Sequence, residues 1–164
     1  MRIDISPIKK TIGQSMEYED TRDVNFKELK LDGPMGLKLK LTNLGTRFAV
    51  SGAIYGSVKL ICNRCAEEYI WGFNIPVNEE FFDIHEKKSY ITEGEDPDSQ
   101  NFFFYENDII DFKEMIRQNI LSSIPIKTIC SENCNGIVLE CAEDDKLSKD
   151  DILKEHITDR KIKK

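Results

Sequence analysis

Residues 36–77 read GLKLKLTNLGTRFAVSGAIYGSVKLICNRCAEEYIWGFNIPV. Leu37, Leu39 and Leu41 alternate with Lys38 and Lys40, the period of a strand with one buried face. Asn43-Leu44-Gly45 supplies a turn. Phe48, Val50, Gly52 and Ile54 continue on one face of a second strand, which Gly56 is expected to break. Val58, Leu60 and Cys62 alternate with Lys59 and Ile61 on a third. Beyond Cys62-Asn63-Arg64-Cys65, the residues Tyr69, Trp71, Phe73, Ile75 and Val77 keep strict alternation on a fourth. Four strands at this spacing predict an antiparallel meander or a partial barrel. Pro76 places the last strand at an edge or ends it there.

Outward from this core the pattern weakens. Met1 to Ser6 reads as an edge strand with Ile3 and Ile5 on one face. The stretch 14–27 is polar and carries no assignable period. Residues 84–101 contain EGEDPDS and read as a mobile acidic surface loop. Phe102, Phe103 and Phe104 return as a short strand. Asp111 is expected to cap a helix. Its apolar face is Phe112, Met115, Ile116 and Ile120, with Asn119 alongside, and Pro125 stops it. A second short helix is expected from Ser148 to about 159, followed by a basic tail. The fold class is therefore α+β, a meander with one or two helices in the C-terminal half. Residues 1–142 are expected to form one domain and 143–164 a charged tail.

The chain has 164 residues, 40% hydrophobic and 32% charged, which suits a single core and exceeds what a disordered chain carries. No apolar run reaches the length of a membrane span, and MRIDISPIKK lacks the apolar stretch of a signal peptide, so a cytoplasmic address is expected. The net charge of −7 disfavours bulk attraction to phosphate and favours a basic protein partner. No membrane contact and no small-molecule substrate are expected.

The five cysteines carry the chemistry. An odd count in a cytosolic chain argues against a disulfide framework. Cys62-x2-Cys65 is a knuckle whose turn brings two thiolates to one metal. Cys130-x3-Cys134-x6-Cys141 offers three more. Cys62, Cys65, Cys130 and Cys134 make one complete set for a structural zinc, with Cys141 as an alternative ligand. Such a site would staple the C-terminal segment to the sheet and would have no open position for catalysis. Buried, metal-free thiols are the plain alternative. A thiol oxidoreductase using Cys62 and Cys65 is another, although such motifs usually open a helix. His85 and His156 read as solvated. Arg64 is a candidate partner contact. No phosphate loop, acid/base pair or nucleophile elbow occurs, so no catalytic residue is assigned.

The strand SGAIYGSVKLICNRCAEEY, followed by IIDFKEMIRQNILSSIPIKTICSENCNGI, resembles the YceD-like family, the large ribosomal RNA subunit accumulation proteins, over roughly residues 35–142. The resemblance implies a non-catalytic role in accumulating large-subunit ribosomal RNA, with a ribosomal protein or pre-ribosomal RNA as partner. Val138 stands where many relatives have a cysteine, and their closing cysteine pair is missing after Cys141. A metal site here would therefore draw on Cys62 and Cys65. An adaptor in another pathway is the alternative function.

Overall fold

The computed structural model describes residues 1–86 and 103–137. In chain order it contains β1 (Arg2–Asp4), α1 (Ser6–Lys9), β2 (Ser15–Arg22), β3 (Met35–Asn43), β4 (Arg47–Ile61), β5 (Glu68–Asp83), a 3-10 turn (Ile84–Glu86), β6 (Phe103–Tyr105), β7 (Ile109–Asp111) and α2 (Lys113–Ser123). Strands β2 to β6 form one open sheet in sequential order, and β1 pairs with β7 in a second. The pairings are antiparallel except that β6 runs parallel to β5. The α+β class and the meander hold, and the sheet does not close into a barrel.

The alternation read from the sequence places the core. Leu37, Leu39 and Leu41 are buried while Lys38 and Lys40 are exposed. Across the register, Val50 and Ile54 are buried opposite Leu41 and Leu37. The helix closes this face with Phe112, Met115, Ile116 and Ile120, all fully buried. Phe81 joins the two layers. Its ring stacks on Phe103 at 5.3 Å and meets Phe112 edge-on at 5.8 Å. The N-cap position falls on Phe112 rather than Asp111, which ends β7 and accepts the Lys113 amide at 3.0 Å from one residue further back. The helix stops before Pro125, because the residue preceding a proline is driven to extended backbone; Ile124 sits at φ −63°, ψ 128°.

At three places the chain departs from these expectations or sharpens them. Gly56 does not break the chain: β4 runs unbroken from Arg47 to Ile61, so the second and third predicted strands are one. A Cβ on Gly56 would lie 3.1 Å from the Phe73 ring and 3.2 Å from Met35 Cβ. This glycine serves close packing rather than a turn. Of the two readings of Pro76, the edge position holds and the strand end does not, since β5 continues to Asp83. Proline is tolerated there because β6 pairs with β5 only from Phe81 onward, so Pro76 faces an edge with no strand partner among the described residues. The unassigned polar stretch contains β2, eight residues long. There Met16, Tyr18 and Asp20 are half-buried and Glu17, Glu19 and Thr21 are exposed, the pattern of an edge strand.

The N-terminal strand is present, with Ile3 and Ile5 buried, and Phe103–Tyr105 returns to the sheet. The Asn43–Gly45 turn is built as read: Asn43 is buried, its Oδ1 accepts the Gly45 amide, and its Nδ2 reaches the Ile8, Lys9 and Thr11 carbonyls. The expected loop over 84–101 begins as a 3-10 turn through Glu86. The rest of it, the helix from Ser148 and the tail lie outside the described residues. No helix among the described residues is long and apolar enough to cross a membrane.

Candidate metal centre

Strands β4 and β5 outrun their neighbour. Pairing of β4 with β3 stops at Gly36 opposite Tyr55, whereas pairing with β5 continues from Ser57–Gly72 to Ile61–Glu68. The result is a two-stranded arm. It is buttressed by segment 30–32, through Lys59 N to Lys30 O at 2.8 Å, Asp32 N to Ser57 O at 2.9 Å and a bridge between Leu31 and Val58. The knuckle forms the tip of this arm. The Cys62 amide donates to Glu67 O and the Ala66 amide to Cys62 O, both at 2.9 Å. Closing the loop so tightly puts Ala66 at φ 59°, the left-handed region where glycine is the ordinary occupant.

The second cysteine group reaches the tip because Pro125 turns the chain out of α2. Thr128 latches it: Oγ1 donates to Ile61 O at 2.7 Å, and Thr128 O accepts the Asn63 amide at 2.7 Å. A turn then closes from Cys134 N to Ser131 O at 3.2 Å. The chain returns along the knuckle, with Ile137 N donating to Arg64 O at 3.0 Å. Gly136 permits this approach, since at φ 75° a Cβ would sit 3.3 Å from Arg64 O.

These constraints bring the sulfurs of Cys62, Cys65, Cys130 and Cys134 within 4.8 Å of one another. Cys62 Sγ lies 3.8 Å from Cys134 Sγ, and Cys65 Sγ lies 3.8 Å from Cys130 Sγ. All four are free thiols. A tetrahedron of thiolates around zinc, with Zn–S of about 2.3 Å, has edges of about 3.8 Å. The spacing is too long for disulfides and right for a shared cation. Cys62 is buried, Cys65 and Cys134 are half-buried and Cys130 is exposed, so the site is a surface cap and not a pocket.

Electrostatics act in the same direction. The Cys62 thiol is held down to about 6 by the amides of Cys65 and Cys130, with Arg64 N–H adding a contact at 3.4 Å. Cys130 N lies 3.4 Å from the same sulfur. Cys130 is pushed up to about 12 by the neighbouring Cys134 and Cys62 sulfurs. At Cys65 the Glu67 amide pulls downward, but burial and the Cys62 and Cys134 sulfurs outweigh it and the thiol is raised. Like charges so close cannot all form without a cation among them. A divalent metal would remove that penalty and hold all four deprotonated.

The other predicted residues fall as follows. Arg64 is exposed, and its Nη1 donates to Glu132 O at 2.9 Å and to Cys134 O at 3.4 Å, bracing the second cysteine segment against the first. Cys141 and His156 lie outside the described residues. His85 is exposed in the 3-10 turn, with its amide on Asp83 Oδ1 at 3.0 Å. The knuckle joins two strands and does not open a helix. Thr128, Ala66 and Gly136 were not singled out from the sequence. Only Gly136, two residues past a cysteine, carried a local signal.

A protein-family model described as large ribosomal RNA subunit accumulation protein YceD matches residues 50–161, a span that holds both cysteine pairs and more than half of the chain. No curated protein and no solved structure matches.

Proposed function

Because this chain belongs to the YceD family of large ribosomal RNA subunit accumulation proteins, we propose that it supports accumulation of that RNA as a non-catalytic, cytoplasmic factor that binds a ribosomal component. The reading is carried by one observation: four thiols, two from each cysteine segment, stand at tetrahedral spacing. Zinc is the metal that fits, since four thiolates at this distance suit a soft-tolerant tetrahedral ion. Cys62, Cys65, Cys130 and Cys134 would hold it, and Cys141 is the alternative ligand. A closed four-sulfur site has no open position, so its work is to staple the arm to the segment after α2. Residues 1–142 then act as one binding unit, with 143–164 as a charged tail. Arg64, braced through Nη1 and otherwise at the surface, is the residue of the cap that faces a partner. The burial of Cys62 weighs against the oxidoreductase reading, because a buried sulfur cannot reach a disulfide substrate.

The test is depletion of the protein in its host and measurement of large-subunit against small-subunit ribosomal RNA. The expected result is a selective deficit of the large-subunit RNA, restored by the wild-type chain and not by Cys62→Ser/Cys130→Ser. An unchanged ratio would favour an adaptor serving another pathway.

A further inference from the structure

At the end of β5 remote from the cysteine arm, where β6 pairs with Phe81–Asp83, a cleft of about 340 Å³ opens beside the β6–β7 hairpin. Asn107 and Asp108 both have positive φ, 52° and 59°, the turn that matches the twist of a two-residue hairpin. It sets Glu106 directly opposite Ile109, with Ile109 N donating to Glu106 O at 2.9 Å. Because alternate residues of a strand share a face, Phe104 lies on the same side as Glu106, and Asp111 on the same side as Ile109. Ile84 and Arg2 complete the walls. Ile109 and Ile84 remain 44% and 38% exposed, unusual for isoleucines beside a core.

The cleft thus has an aromatic and aliphatic lining with carboxylate at its rim. Its cations are already spent. Arg2 Nε holds Asp111 at 2.9 Å, and Lys9 is paired with Asp108. Glu106 is exposed and in no ion pair among the described residues. More carboxylate stands close behind: Tyr105, in the same wall, is pushed up to about 12 by burial first and then by Asp83, Asp108 and Glu86. Phosphate would be repelled here. A cationic side chain with an aliphatic stem would be covered along its length and neutralised at its head. The fold already uses this chemistry one residue away, where Lys9 Nζ lies 5.6 Å from the centre of the Tyr105 ring.

We propose that this cleft receives a lysine or arginine side chain from a basic protein segment, with Phe104, Ile84 and Ile109 covering the stem and Glu106 taking the charge. The inference rests on the reading of the chain as a factor that works by binding, and it makes that partner a protein.

The probe is a short synthetic lysine–serine peptide titrated into the full zinc-loaded chain and followed by amide chemical shifts. Shifts are expected at Arg2, Ile84, Phe104, Glu106 and Ile109. Glu106→Gln should weaken binding by about tenfold, the loss of one charged contact. Glu17→Gln, on the outer face of β2, should leave it unchanged. Glu106→Lys should instead bind a glutamate–serine peptide, a reversal that misfolding cannot produce. Undiminished binding by Glu106→Gln, shifts centred elsewhere, or the same residues responding to a single-stranded RNA would overturn the proposal. A failed titration beside an intact ribosomal RNA deficit on depletion would refute the cleft and leave the function standing.

Discussion

The two ends of β4 are held by different physics. At its start, Phe48, Val50 and Ile54 are fully buried against β3, β5 and the helix, and apolar area does the work. At its end the last buried residue is Cys62. Around it Ile61 and Ile70 are 63% and 59% exposed, and Ile126 is 99% exposed. An arm of two strands is marginal alone in water. The sheet has a hydrophobic core to fold on, whereas little apolar burial holds the arm tip and the segment after α2, and a metal shared by the four thiols would supply the missing cross-link.

Removing the metal should separate the ends most sharply. Structural zinc sites are worth about 10–16 kcal/mol apparent at neutral pH. Chelation should therefore abolish amide-exchange protection over 60–68 and 126–137, and leave Leu39, Val50 and Ile54 protected. Simultaneous loss at both ends would show that they are one unit. The reverse break should be global. Ile54→Ala, which empties a fully buried site, should cost about 2–5 kcal/mol by denaturant titration and take the arm with it. Asn43→Ala strands buried carbonyls of the α1 turn at the base and should cost about 1–3 kcal/mol without changing metal content. The smallest effect is a gain. Ala66→Gly relieves the left-handed alanine of the knuckle and should stabilise the tip by up to about 1 kcal/mol, read as slower metal loss to a chelator.

The base was the legible end. Leucine–lysine alternation in 37–41 and the alternation in 69–77 state which side chains face inward, and burial followed for the leucines and for Phe73, Ile75 and Val77, while Tyr69 and Trp71 on the arm are only half-buried. Where strands carried weak contrast the reading stopped: β2 has only Met16 and Tyr18 as apolar inward residues, too few to stand out from a loop. Gly56 misled because a glycine needed for close approach to Phe73 looks, in sequence, like one needed for a turn. At the tip the cysteine types and spacings were readable, since thiolates are rarely grouped without purpose. Their geometry was not. It depends on the Thr128 latch, the Arg64 brace and the conformation of Ala66, contacts between residues more than sixty positions apart or a strained backbone that leaves no periodic trace.

One cation is expected to join the arm to the segment after α2. That expectation is tested most directly by elemental mass spectrometry of the untagged, reduced protein beside Cys62→Ser/Cys65→Ser. One zinc per wild-type chain and none in the variant is the expected result. A folded wild-type chain that carries no metal, with all five thiols open to titration, would contradict it.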